Sequence, residues 1–140
     1  MPAHVTLIYP FVDPPDVDEV LLERLRSVFS QHAAFEVSFD SVKSFPGGTA
    51  YLEPLPSLAF VALTEQLVAQ FGIRPYDGLH DTVEPHLTIG LGLDPTEADL
   101  IRQKLSVLLP IQATCREVWL VTGDNEFGWV RRETFALRRR

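Results

Sequence analysis

Apolar positions change period along this chain, and each change predicts an element. Val5 to Phe11 is apolar enough for a strand and runs into Asp13-Pro14-Pro15, which ends it. Val17, Val20, Leu21, Leu25, Val28 and Phe29 then recur at helical spacing, behind an Asp16–Glu19 pair that has the form of a capping box. Phe35, Val37 and Phe39 alternate with polar residues, which predicts a half-buried strand. Pro46-Gly47-Gly48 reads as a turn, and Thr49 to Leu52 as a short returning strand. Ser57 to Phe71 predicts a well-buried helix closed by Gly72.

The stretch 73–85 is rich in Pro, Gly and Asp and reads as a loop, after which the pattern restarts. His86 to Leu91 predicts a strand, and Asp94-Pro95-Thr96-Glu97 a helix start that continues through Ala98, Ile101, Leu105, Leu108 and Leu109 until Pro110 stops it. Ile111 to Val121 predicts one strand, Gly123-Asp124-Asn125 a turn and Trp129 to Leu137 a last strand. The order is strand, helix, strand, turn, strand, helix, then strand, helix, strand, turn, strand. We read it as an α+β fold of duplicated βαββ units. Two antiparallel sheets would enclose a central cleft with the helices outside. The 140 residues then form a single bilobal domain, with halves of about 1–72 and 83–140 joined by the loop 73–82.

Within this layout two short strings stand at corresponding places, His4-Val5-Thr6 and His86-Leu87-Thr88, their histidines 82 positions apart (from 4 to 86). In a strand, residues two apart share a face, so each string projects an imidazole and a hydroxyl in one direction. Two such strands side by side make a site with two proton carriers and two hydrogen-bond donors, which suits a phosphoester. The string alone is a weak signal. Nine threonines and seven serines make chance matches easy, and His80-Asp81-Thr82 is a third. That one lies in the loop without an alternating apolar flank, so His86 is preferred over it. His32 ends a predicted helix, where an imidazole suits the negative end of the dipole, and carries no functional case. A zinc site needs three or four ligands, and none beyond the two histidines stands at ligand spacing, so no metal or other cofactor is expected.

Charge narrows the substrate. Net charge is −7, which argues against a broad face for long nucleic acid, although five of the twelve cations (Arg131, Arg132, Arg138, Arg139 and Arg140) crowd the last ten residues. Cys115, the single cysteine, lies in an alternating stretch and is expected to be a small buried hydrophobe. There is no apolar run long enough to span a membrane and no secretion-type leader. A cytoplasmic monomer is the expectation. Tyr9, Phe11, Phe45, Tyr51 and Trp129 are candidate stacking surfaces for a base, each weighed against an ordinary place in the core. Arg131 and Arg132 are candidate phosphate ligands, of which at most one faces a cleft.

The strings His4-Val5-Thr6-Leu7 with Tyr9-Pro10-Phe11, Val83-Glu84-Pro85-His86-Leu87-Thr88-Ile89, and the Gly128-Trp129 to Phe135-Ala136-Leu137 ending resemble the two-histidine phosphoesterase superfamily, in its bacterial 2′-5′ RNA ligase-like (LigT-like) branch. The resemblance implies a catalytic tetrad of His4, Thr6, His86 and Thr88. It also implies substrates that are small nucleotides or RNA ends with a cyclic phosphate. By the same likeness His4 is the acid and His86 the base of hydrolysis. The expected function is a metal-independent phosphodiesterase that opens a 2′,3′-cyclic phosphate. A phosphate-binding module without turnover and a 2′-5′ RNA ligase are the alternatives.

Overall fold

In the computed structural model the residues described are 1–79, 84–124 and 126–139. The loop string His80-Asp81-Thr82, together with Val83, Asn125 and Arg140, lies outside the described residues. Three helices, α1 (Glu19–Ser30), α2 (Leu58–Phe71) and α3 (Pro95–Ser106), accompany six strands among the described residues: β1 (Phe35–Phe45), β2 (Thr49–Leu55), β3 (Leu87–Gly90), β4 (Ile111–Cys115), β5 (Glu117–Asp124) and β6 (Gly128–Ala136). The strands form two antiparallel sheets, one ordered β3-β2-β1-β4 and one made of the β5-β6 hairpin. The predicted α+β class with two antiparallel sheets is therefore observed. The four-stranded sheet takes two strands from each side of the 73–82 loop.

Each helix buries the stripe that its spacing predicts. In α1 the buried residues are Leu21, Leu22, Leu25, Val28 and Phe29, while Val20, one step off that stripe, is 69% exposed. The N-cap is Asp18, whose carboxylate accepts the Leu21 N–H at 2.9 Å. The expected Asp16–Glu19 box is displaced because Pro14–Asp16 winds into a separate 3-10 turn. The expectation of a well-buried α2 is too generous. Phe60, Leu63 and Leu67 are inside, but Leu58 is 76% exposed. Its end is as expected, with Gly72 in the left-handed region at φ 67°. The Asp94–Glu97 capping box at the head of α3 is present in both directions, with Pro95 in the first turn. That helix ends at Ser106 rather than Leu109 and buries no residue.

Two strand expectations fail. Val5 to Phe11 forms no strand. The Leu7 carbonyl accepts from Thr64 Oγ1 at 2.7 Å, the Tyr9 carbonyl accepts from the Tyr76 N–H at 2.6 Å, and Pro10 has no N–H to offer a ladder. The segment is thus held by a helix side chain and a loop. Ile111 to Val121 is not one strand but parts of two. The break falls at Arg116, whose carbonyl accepts the Leu137 N–H at 2.8 Å, so β4 closes the larger sheet and β5 opens the smaller one.

Two clusters make up the core. One joins α1, Leu63 and Leu67 of α2, and Phe135 with Leu137 at the end of β6. The other joins Val37, Phe39, Leu52 and Phe60. α2 contributes buried residues to both, and Leu7 and Phe35 pack against both as well. Cys115 packs against the second cluster, where burial pushes its thiol above the ordinary pKa.

Candidate active site

The second His-x-Thr string is built on a sheet edge. β3 pairs with β2 so that Thr88 stands opposite Tyr51 and Leu87 opposite Leu52. Directly opposed residues share a face, and His86 is two residues before Thr88, so His86, Thr88 and Tyr51 belong to one side of the sheet. Leu87 and Ile89 point the other way, into the second core cluster. Phe45 and Tyr51 stack at 4.1 Å between centroids, and the His86 ring meets both edge-on, at 5.1 and 5.7 Å. These contacts restrict the imidazole's rotation.

The first string reaches a similar state by a different route. Val5 and Leu7 pack against the same cluster as Leu87 and Ile89. In both strings the residues after the histidine and after the threonine are therefore core groups, gathered over Val37, Phe39, Leu52 and Phe60. His4 and Thr88 are exposed, and Thr6 and His86 half-buried. Tyr9, half-exposed, meets Trp129 of β6 and Tyr76 edge-on at 6.0 and 6.4 Å.

The two imidazoles also share one local bond. His4 Nδ1 lies 3.0 Å from the Pro2 carbonyl oxygen, and His86 Nδ1 lies 2.8 Å from that of Glu84. A carbonyl only accepts, so Nδ1 must carry the proton in each ring. That fixes the tautomer and leaves Nε2 as the nitrogen that takes up or gives away a proton.

The other candidates divide. Phe45 and Tyr51 lie beside His86, and Tyr51 is only 5% exposed. Burial first, and then the Glu84 carboxylate, raise the Tyr51 hydroxyl above its ordinary pKa, so it stays protonated at neutral pH. Lys43 and Glu53, on neighbouring positions of β1 and β2, form an ion pair beside it. Phe11 is half-buried and packs edge-on against Phe71 at 5.4 Å, beside the first core cluster. Arg131 lies over Trp119 at 4.6 Å. The β5-β6 register skips Arg132, opposing Leu120 to Glu133 and Val121 to Arg131, so Arg132 is the extra residue of a bulge. Both arginines are exposed. Thr64 and Tyr76, which hold the backbone just after the first string, were not signalled by sequence, because a helix threonine and a loop N–H carry no motif.

Among the described residues there is no group of three or more His, Cys, Asp or Glu side chains placed to hold a metal ion. None of the helices formed by the described residues is long and apolar enough to cross a membrane. Comparison with curated proteins returns no match. A family model described as the 2′-5′ RNA ligase superfamily matches residues 1–126. That span takes in both His-x-Thr strings, all three helices and the larger sheet. The chain belongs to the 2′-5′ RNA ligase superfamily, the two-histidine phosphoesterases.

Proposed function

We propose that the protein is a metal-independent phosphodiesterase that opens a 2′,3′-cyclic phosphate on a small nucleotide or RNA end, with His4, Thr6, His86 and Thr88 as its catalytic groups. The observation that carries this reading is the matched pair of Nδ1–carbonyl bonds, which prepares both rings for proton transfer through Nε2. A histidine serving only to pack a core has no need of a fixed tautomer with an accessible second nitrogen.

The chemistry follows from the residue types. One neutral imidazole takes the proton of a water molecule as its oxygen bonds to phosphorus. The bond from phosphorus to one ribose oxygen breaks, and the second, protonated imidazole gives its proton to that oxygen. Imidazole titrates near pH 6.5, so both forms coexist at neutral pH, and each proton transfer contributes about 10²- to 10⁴-fold. Thr6 and Thr88 donate hydroxyl hydrogens to the non-bridging oxygens as charge builds there. The family likeness assigns His4 as acid and His86 as base. Joining a 5′-hydroxyl to the cyclic phosphate is the same ring opening with that hydroxyl in place of water, its oxygen bonding to phosphorus as the bond to the 3′-oxygen breaks so that a 2′-5′ linkage remains, and the family's description favours it as the second reading.

The test is turnover of a panel of 2′,3′-cyclic nucleotides with EDTA present, followed across pH. The expected result is hydrolysis unaffected by chelation, with a bell-shaped kcat/KM profile because one ring must be protonated and the other neutral. Tight nucleotide binding without turnover of any member would overturn the enzymatic reading. Accumulation of a 2′-5′ product from RNA halves would turn it towards ligation.

A further inference from the structure

The two His-x-Thr strings are held by unequal means. His86 and Thr88 sit on a strand whose backbone is laddered to β2. His4 and Thr6 have no strand beneath them. The backbone just after them is fixed at two points, the Leu7 carbonyl by Thr64 Oγ1 at 2.7 Å and the Tyr9 carbonyl by the Tyr76 N–H at 2.6 Å. Of these, the first lies nearer the string and is made by a side chain. We propose that Thr64 is a positioning residue for His4, taking over through one hydroxyl what the β2 ladder does for His86; the proposal rests on the reading of His4 as a proton carrier.

Three features support it. A threonine inside a helix ordinarily turns its hydroxyl back to the carbonyl four residues earlier, whereas Thr64 gives its hydrogen to a residue 57 positions away. Its helix, α2, also carries Phe60, part of the cluster against which Val5, Leu7, Leu87 and Ile89 all pack. The same rigid element therefore sets the level of both strings, by packing for each and by an added hydrogen bond for the first. Finally, the bond is part-buried, and Leu7 is wedged against both core clusters, so its carbonyl has little choice of another partner. From that fixed carbonyl to His4 the chain runs three residues, and at its far end the ring is tied to the Pro2 carbonyl.

Thr64→Val keeps the shape of the side chain and removes the hydroxyl; Thr64→Ser keeps the hydroxyl; Thr64→Ala, in a good helix former, serves if valine compromises folding. The measurements are kcat and KM on a cyclic nucleotide, and the imidazole nitrogen shifts of His4 and His86 followed by NMR across a pH titration. The expected result for Thr64→Val is a fall in kcat of about 10- to 100-fold with KM changed less than about twofold, since sub-ångström misplacement of a catalytic group costs of this order. The His4 nitrogens should move towards a mixture of tautomers while those of His86 stay put, and Thr64→Ser should restore both readouts to near wild type. Thr64→Val or Thr64→Ala with kcat within about twofold of wild type and unchanged His4 shifts would overturn the proposal. So would an equal disturbance of both histidines, which marks a general loss of structure. If wild type turns over no cyclic phosphate, the functional reading fails, and the nitrogen shifts still decide whether Thr64 orients His4.

Discussion

A single bond from ring nitrogen to backbone, repeated at His4 and His86, separates these imidazoles from His32, whose Nε2 is buried with no partner among the described residues. The same scale shows how closely the second string is supported. At the β1-β2 turn Gly48 has φ +89°, its carbonyl accepts the Leu93 N–H at 2.9 Å, and a Cβ placed there would stand 2.4 Å from the Leu93 carbonyl oxygen. That turn carries Phe45 at one end and anchors the chain that leaves β3. Gly48→Ala is therefore expected to cost about 2 kcal/mol or more, from backbone strain and from a clash with main chain that has no side chain to move aside. Thermal denaturation measures the loss, and turnover should fall with it because the Phe45 contact to His86 is disturbed. The string at 86–88 was legible because strand alternation puts His86 and Thr88 on one face, whereas the string at 4–6 was legible only as a repeated motif, since no strand lies under it. Thr64 was not, since its role depends on which carbonyl the fold lays beside it.

Among the elements, two self-contained features were read correctly, the equally local Asp16–Glu19 box gave way to the Asp18 cap, and features that depend on a partner were read poorly. The Asp94–Glu97 box and the Gly72 cap involve residues within one turn, and both are present. The N-terminal segment fails as a strand because a strand is defined by its neighbour, and here a hydroxyl and a loop N–H take its carbonyls. The split at Arg116 is of the same kind. Alternation continues across it, but the hydrogen-bond partner changes from one sheet to the other. α3 gives a prediction at this scale. It buries no residue, so its cap carries much of its local stability. The Glu97 N–H, first among the causes, holds the Asp94 carboxyl below its ordinary pKa. A carboxyl depressed in the folded state contributes stability above its unfolded pKa and loses it as pH falls through the folded one. Asp94→Ala should thus lower Tm by a few degrees at neutral pH, and the gap from wild type should close as pH drops below about 4, measured by calorimetry at both ends.

Across the whole molecule, α2 contributes buried residues to both clusters, and the expectation is that the chain unfolds as one unit. Leu63, 1% exposed on that helix, should lose about 2–5 kcal/mol of stability on truncation to alanine. Unfolding followed by far-ultraviolet dichroism and by the fluorescence of Trp119 and Trp129, both in the β5-β6 sheet, should give coincident transitions in wild type and variant. Separate transitions would mean that the small sheet melts alone. The mixing of strands across the 73–82 loop was not legible in the repeat of element types, because a duplicated order does not say whose hairpin a strand will join. What the repeat did convey is that both strings would occupy equivalent places, and their apolar residues do meet over one cluster.

The central claim is that His4 and His86 act on one phosphorus atom. Turnover of a 2′,3′-cyclic nucleotide by wild type, His4→Ala, His86→Ala and the double variant tests it most directly. The account predicts that each single variant loses at least about 10²-fold in kcat/KM and that the double variant is little worse than the weaker single, as for groups that work as a unit. Wild-type turnover in either single variant would contradict it.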